Sequence, residues 1–289
     1  MLPVNQNTII QLIPATQYTF EQLADIYNQT RIDYMVPMPM NATRLAEYVT
    51  TYDVSLEHSL VAKLANGEML GVIMLGMRKG RVWVTRLGVI PNNRRLGIGK
   101  TLMNGLLEQT QKLSINFCML EVIKNNIPAH QMFLKFGFRE VGELLVLRHS
   151  PLSTKHISLP ANIQSFDKSQ ALTYLNNHQL TQAWTNQYES FLNSNEVSGL
   201  YATLEDGSRG WMVYQRQKFL LSRFVFNTEA GDPVKVASAL LTHLHQQYPR
   251  LDTHVENIHS HDPHLPAFYQ AGYIEAFRRI EMWHGEFTG

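Results

Sequence analysis

The 289-residue chain is poor in cysteine, in long apolar runs and in charge. Its single cysteine, Cys118, excludes a disulfide framework and fits a reducing compartment. No apolar run approaches the roughly 18 residues that a membrane span needs. The N-terminus lacks the charged region and the long apolar region of a signal peptide. We therefore expect a cytoplasmic protein with no membrane segment.

Charged residues make up only 17% of the chain, whereas hydrophobic residues make up 44%, which excludes a disordered chain. The net charge of +1 argues against a nucleic-acid or membrane-surface binder. Charge is distributed unevenly, with +4 in residues 1–150 and −3 in residues 151–289. An anionic ligand is therefore expected in the first half.

Two pairs of segments indicate an internal duplication. Residues 59–75 and 199–215 each place alternating apolar residues around a turn, Asn66-Gly67 in one and Asp206-Gly207 in the other. Both are predicted β-hairpins with two-residue turns of positive φ. Four positions match at an offset of 140: Leu60/Leu200, Ala62/Ala202, Leu64/Leu204 and Gly67/Gly207. Four more match at an offset of 135: Glu121/Glu256, Phe133/Phe268, Gly137/Gly272 and Phe138/Tyr273.

The duplication predicts two related domains, residues 1–150 and 151–289, joined within the polar, proline-containing stretch 148–165. The first domain is predicted to form a mixed α/β sheet with helices on both faces. Its helices are expected from the N-cap Thr19 and over residues 42–50, 97–113 and 127–136. Its strands are expected over residues 8–14, 58–65, 69–77, 81–89 and 116–123, with further strands in 138–149.

Residues 84–111 contain the pattern most suggestive of chemistry, a strand and a short loop followed by Gly97 and Gly99 at the start of a helix. The first N–H groups of a helix have no internal partners, and the helix dipole adds about half a positive charge there. Glycines allow a phosphate to approach closely, and Arg94, Arg95 and Lys100 add charge. A P-loop is excluded because Arg94 stands where its first glycine is required. The G-x-G-x-x-G dinucleotide pattern is absent as well.

The motif R-x-x-G-x-G, formed by Arg94, Gly97 and Gly99, resembles the pyrophosphate loop of the GNAT superfamily of N-acyltransferases. A second signature of that family follows at the right separation, carried by Asn126, Ala129, Phe133, Gly137 and Phe138. The resemblance covers residues 8–149. It implies two tandem GNAT-like domains, of which the second is degenerate, since residues 227–238 lack the motif and carry Glu229 and Asp232 instead.

The resemblance implies acetyl-CoA, or another acyl-CoA, as co-substrate, and no metal. The pyrophosphate would lie on the amides of Arg95 through Lys100, and the amide of Leu87 or Val89 would polarise the thioester carbonyl. The residues assigned to this site are Leu87, Gly88, Val89, Arg94, Arg95, Leu96, Gly97, Ile98, Gly99, Lys100, Thr101, Asn126 and Phe133.

The family's reaction is direct attack by an amine, which needs a base and a proton donor for the leaving thiolate. Phe133 stands where the family often has tyrosine, and residues 81–86 contain no carboxylate. The catalytic candidates are Glu121 and Tyr34. The loop 33–41 is expected to form the acceptor wall, with Met35, Met38 and Met40 lining an apolar pocket.

Other chemistry-bearing residues are expected to be structural. Cys118 lies in an apolar strand and is interpreted as a buried small side chain. His259, His261 and His264 are interpreted as polar loop residues because no separate fourth ligand is evident.

Three interpretations stay open: an N-acetyltransferase acting on a small-molecule primary amine, a non-catalytic acyl-CoA sensor, and an interaction module carried by the second domain. No nucleic-acid partner is expected, and a homodimer stays open.

Overall fold

The computed structural model describes residues 9–151, 160–176 and 182–286. Twelve strands and eight helices lie within these ranges. The strands are β1 (Ile10–Pro14), β2 (Val54–Leu64), β3 (Met69–Arg78), β4 (Arg81–Val89), β5 (Phe117–Ile123), β6 (Arg139–His149), β7 (Ala161–Phe166), β8 (Val197–Leu204), β9 (Arg209–Gln217), β10 (Leu220–Ala230), β11 (Asp252–His259) and β12 (Ile274–His284). The helices are α1 (Phe20–Gln29), α2 (Ala42–Thr51), α3 (Ile98–Lys112), α4 (Ile127–Lys135), α5 (Lys168–Asn176), α6 (Tyr188–Leu192), α7 (Pro233–Gln247) and α8 (Leu265–Gln270).

The first of two compact units comprises Met1–Glu121, Ile127–Glu140 and Met282–Gly289. Its strands are ordered β1-β2-β3-β4-β5, antiparallel except for the parallel pair β4–β5. Helix α1 begins after Thr19, whose hydroxyl accepts from the Gln22 N–H while the Gln22 side chain accepts from the Thr19 N–H. This capping box confirms the predicted N-cap and fixes the start of α1.

The second unit comprises Val122–Asn126 and Val141–Glu281. Its strands are ordered β12-β6-β11-β10-β9-β8-β7, with the parallel pair β10–β11. Its largest core packs α7 and α8 on the apolar face of β8, β9 and β10. Each unit therefore contains a segment from the opposite half of the sequence.

Both hairpins that the repeat predicts are present in the structure, and their turns have the same geometry. The Leu64 N–H donates to the Glu68 carbonyl at 2.9 Å, and the Leu204 N–H donates to the Ser208 carbonyl at 2.9 Å. The predicted two-residue turn of positive φ is wrong, because only the glycine has positive φ in each turn. The residue before the glycine keeps an ordinary φ and uses its side-chain oxygen to accept the N–H two residues on.

Other predicted boundaries need correction. β2 begins at Val54 rather than residue 58, because a bulge between Ser55 and Leu60 lets the strand continue through polar residues. Residues 139–149 form one strand rather than several. Much of the predicted joint 148–165 lies outside the described residues. Within the described ranges, no helix is long and apolar enough to cross a membrane.

Candidate functional site

Helix α3 begins without any side chain capping its N-terminus. Its N-cap is Gly97, which has a left-handed φ of 83° that favours glycine. A Cβ added at Gly97 would meet nothing within 4 Å, and one at Gly99 would lie 3.4 Å from Met132 Sδ, an ordinary contact. The first turn of α3 therefore presents its N–H groups without competition from a side-chain cap, as an anion site requires.

Arg94, whose role toward a phosphate stays a prediction, has a carboxylate partner within the chain. Its guanidinium binds both carboxylate oxygens of Asp33 at 2.7 Å, and it also donates to the backbone carbonyls of Thr30 and Val89 at 3.2 Å. The hydrogen bond from Arg94 holds the pKa of Asp33 below its usual range. Arg94 thus ties the loop to the end of α1.

Arg95 and Lys100 are exposed beside the first turn of α3, and both are in the first unit. Arg95 has a positive φ of 65° immediately before the glycine-rich turn. With the charge of Arg94 matched by Asp33, these two side chains supply the positive charge next to the helix N-terminus.

Strand β4 has an edge that β5 leaves open. Pairing between the two strands ends at Val84 and Leu120, where a bulge in β4 shifts its register with β3. The Ile90 N–H donates to the Leu70 carbonyl in β3. Because N–H directions alternate along a strand, those of Leu87 and Val89 point to the opposite side, the side that β5 no longer covers.

Gly88 has a packing role on the same strand. A Cβ at Gly88 would lie 2.2 Å from the Thr30 hydroxyl oxygen, so glycine allows the end of α1 to approach β4. The Thr30 hydroxyl donates to the Tyr27 carbonyl at 2.7 Å, which holds it there.

Glu121 lies beside a group of polar and aromatic side chains that sequence reasoning missed. The Trp83 indole N–H donates to Glu121 Oε2 at 2.7 Å. Next along β4, the Thr85 hydroxyl bonds the hydroxyl of Tyr48, and the Arg86 guanidinium lies 4.4 Å from the Tyr48 ring centre. Burial raises the pKa of Tyr48, so its hydroxyl stays protonated. In the sequence, the polar pair Thr85-Arg86 interrupts the apolar strand β4, and this pair could have indicated the group.

The predicted acceptor loop is anchored at one end. The Asn28 side chain donates to the Met40 carbonyl at 2.8 Å and accepts from the Met40 N–H at 3.0 Å. Met40 packs against the core, whereas Met35 is exposed. Tyr34 lies under the Arg31 guanidinium, with 3.9 Å between the guanidinium carbon and the ring centre. The catalytic role of Tyr34 stays a prediction.

The second signature lies around α4. Asn126 precedes α4 and donates its N–H to the Ile123 carbonyl at 2.9 Å. Its role toward a cofactor stays a prediction. Phe133 is buried, and its ring lies edge-on to Phe138 with 5.8 Å between ring centres. A phenyl ring in this position packs but cannot donate a proton.

Cys118 is enclosed by the protein core, and His264 of the histidine cluster is hydrogen-bonded to neighbouring side chains. Cys118 is buried, and burial raises the pKa of its thiol. His264 bonds the Asp262 carboxylate at 2.8 Å and the Thr228 hydroxyl at 2.9 Å. Among the described residues, no three His, Cys, Asp or Glu side chains form a group that could hold a metal ion.

The corresponding helix of the second unit, α7, has its N-terminus capped from within the chain. Asp232 Oδ1 accepts the Val234 N–H at 2.8 Å and the Lys235 N–H at 3.4 Å. Pro233 occupies the first position of the helix and has no N–H to offer. Glu229, also noted in the sequence, accepts a hydrogen bond from the Tyr201 hydroxyl at 2.7 Å.

Residues 21–138 match the model of the Acetyltransferase (GNAT) family. The spermine/spermidine N(1)-acetyltransferase of Bacillus subtilis strain 168 is 29% identical over 87 residues. That match covers 27% of this chain and 57% of the length of that relative.

Solved structures match over nearly the whole chain. A tandem GNAT protein from the clavulanic acid biosynthesis pathway has a TM-score of 0.67 at 14% identity, covering 96% of this chain and 98% of that one. A GCN5-related N-acetyltransferase from Sphaerobacter thermophilus has a TM-score of 0.69 at 12% identity, with coverages of 96% and 95%. At such identities the likeness shows the fold, and it confirms the predicted tandem GNAT-like architecture.

Proposed function

We propose that the first half of the chain transfers an acetyl or other acyl group from acyl-CoA to a primary amine. The uncapped N-terminus of α3, with glycines at positions 97 and 99, carries this proposal. The fit to a pyrophosphate is chemical as well as spatial, since Arg95 and Lys100 flank the amides. When bound, acyl-CoA supplies an activated thioester.

The chain's own part in the reaction is to bind and to stabilise developing charge. The amides from Arg95 through Lys100 hold the pyrophosphate. The outward N–H of Leu87 or Val89 stabilises negative charge on the carbonyl oxygen, because a donor fixed in advance needs no reorganisation during the reaction. Fixing both reactants in place lowers the entropic part of the barrier.

Glu121 is the proposed base that accepts a proton from the attacking amine. Its Oε2 receives the Trp83 indole N–H, which fixes the orientation of the carboxylate. Removing the proton keeps the amine neutral and therefore nucleophilic. A small amine as acceptor is supported by the Bacillus relative, which is named for spermine and spermidine acetylation.

Three variants test the proposal by acetyl-CoA titration and by CoA release with a panel of amines. Gly99→Glu should lose acetyl-CoA binding, since it places a carboxylate in the cradle, while Gly99→Ala should retain most of it because a Cβ fits there. Glu121→Gln should leave binding intact and lower kcat by about 100-fold, at the low end for a general base. Turnover that survives Gly99→Glu would contradict the proposed site.

A second function, non-catalytic acyl-CoA sensing, is favoured by the phenyl ring of Phe133, which has no proton to give the leaving thiolate. Acetyl-CoA binding without CoA release for any amine would favour the sensor. Release that depends on Glu121 would favour the enzyme.

A further inference from the structure

Just after the end of α1 lies an arginine whose charge is not matched by a carboxylate. Arg31 lies between two tyrosine rings, its guanidinium carbon 3.9 Å from the ring centre of Tyr34 and 5.3 Å from that of Tyr27. Within the described ranges no aspartate or glutamate pairs with it, whereas nearby Arg94 is paired with Asp33. Cation–π contacts hold a guanidinium in place without neutralising it. Arg31 is therefore positioned and still available to an anion.

Two buried donor atoms at this place lack a hydrogen-bond partner in the described part of the chain. They are Nε of Arg31 and the hydroxyl of Tyr27, whose side chain is fully buried. Buried donors are satisfied in the great majority of cases, so an unsatisfied pair calls for an acceptor from elsewhere. Both groups can donate to the same kind of atom, an anionic oxygen.

A second guanidinium connects this place to the proposed reacting centre. The guanidinium carbon of Arg86 lies 5.8 Å from the ring centre of Tyr27, so the Tyr27 ring has a cation near it from each of two elements. Arg86 directly precedes Leu87, one of the two proposed oxyanion donors. An acceptor reaching the thioester along this row passes two positive charges. Those charges oppose a polycation and favour a molecule that carries a negative group.

We propose that the acceptor amine carries a carboxylate and that Arg31 binds it. This inference rests on the proposed function and names its substrate class, an amino acid or similar amino carboxylate. A carboxylate matches the planar donor fork of Arg31, which presents parallel N–H groups to two oxygens. Arg31 is thus a specificity-determining residue that selects against polyamines.

The test compares amines that differ only in the carboxylate: lysine with cadaverine, ornithine with putrescine, and phenylalanine with phenethylamine. Each is titrated by calorimetry into the intact chain with and without CoA, and each is assayed for acetyl transfer. We expect at least one carboxylate member to bind, and to react with a kcat/KM about tenfold or more above that of its partner.

Arg31→Gln should lower that kcat/KM about tenfold through KM, leave the decarboxylated amine within twofold, and leave acetyl-CoA affinity unchanged. Arg44→Gln, at an exposed arginine on α2, makes the same charge change and should alter neither amine. Preference for the decarboxylated amine, no carboxylate preference in any pair, or equal losses for both amines in Arg31→Gln would overturn the inference. Failure of the proposed function differs from these results, because acetyl-CoA would then fail to bind, or would bind without CoA release for any amine of either kind.

Discussion

Helices α3 and α7 are both 15 residues long, and they follow matching hairpins of the two repeats, yet their N-termini are satisfied in different ways. At α3 the N-cap is Gly97, and no side chain accepts from the first turn. At α7 the Asp232 carboxylate accepts two of those N–H groups. The same fold can therefore either keep its helix N-terminus for an external anion or fill it with an anion of its own.

The glycines before the two helices also differ in their surroundings. Gly97 has open space where a Cβ would stand, whereas a Cβ on Gly231 would lie 2.2 Å from the Ser208 hydroxyl oxygen and 2.6 Å from Ser208 Cα. The Ser208 hydroxyl in turn accepts the Asp232 N–H at 3.1 Å. The turn before α7 is closely packed by its own chain, which leaves no room at the place where α3 is open.

The largest expected difference between the turns before α3 and α7 is in the stability lost when their glycines are replaced by alanine. Gly231→Ala should lower the free energy of unfolding by about 2–4 kcal/mol, since it combines a left-handed φ of 81° with a clash against Ser208. Gly97→Ala should cost only about 1 kcal/mol, because it has the unfavourable φ without the clash. Urea unfolding of both variants measures the difference. Equal losses would mean that the two turns are packed alike.

The next largest effect is expected from removing the Asp232 side chain that caps α7. Asp232→Ala should lower the free energy of unfolding by about 1 kcal/mol, the usual cost of losing an N-cap side chain. Acetyl-CoA affinity should not change, because the proposed site lies at α3. Urea unfolding and calorimetry on the same preparation check both statements. A change in acetyl-CoA affinity would place the ligand at α7 instead.

Lys100 and Lys235 both stand at the third position of their helices and form a matched pair. Lys100→Gln should weaken acetyl-CoA binding about three- to tenfold, because an exposed charge next to a phosphate contributes about 1 kcal/mol. Lys235→Gln should leave the affinity unchanged, since Lys235 Nζ is bound to Asp206 at 2.6 Å. Calorimetric titration compares the two, and equal weakening would remove the distinction between the helices.

The smallest effect concerns acid stability of the two hairpin turns. The Lys235 hydrogen bond, followed by that from Ser208, lowers the pKa of Asp206 from 3.8 to about 2. A lowered pKa in the folded state means that the stabilisation is present above pH 3.8 and is lost as the pH falls toward 2. Asn66, the counterpart in the first repeat, does not titrate.

The stability difference between the parent and Asp206→Asn should therefore be measurable at pH 7 and disappear as the pH falls through about 2. The difference between the parent and Asn66→Ala should stay constant over the same range. Urea unfolding at several pH values tests both variants. A pH-independent difference for Asp206→Asn would show that the ion pair contributes nothing.

Much of the fold could be predicted because its signals are local. The Thr19 cap, the hairpin glycines and the R-x-x-G-x-G loop each depend on residues a few positions apart. The turn type was mistaken because Asn66 and Asp206 use their side chains as acceptors instead of adopting positive φ.

The rest of the site depends on residues distant in the sequence. The partner of Arg94 is Asp33, which lies 61 positions away and which the sequence did not indicate. The bond between Trp83 and Glu121 requires the register of a parallel strand pair, which a single sequence does not specify. The positions of Arg31 and Arg86 around Tyr27 likewise follow from packing between a helix and a strand.

The difference between the two helix N-termini is tested by the number of acetyl-CoA molecules that bind to one chain, measured by calorimetric titration of the intact protein and of Gly99→Glu. We expect one site per chain in the parent and none in the variant. Two sites per chain, or one site that survives in Gly99→Glu, would contradict the distinction between the open N-terminus of α3 and the self-capped N-terminus of α7.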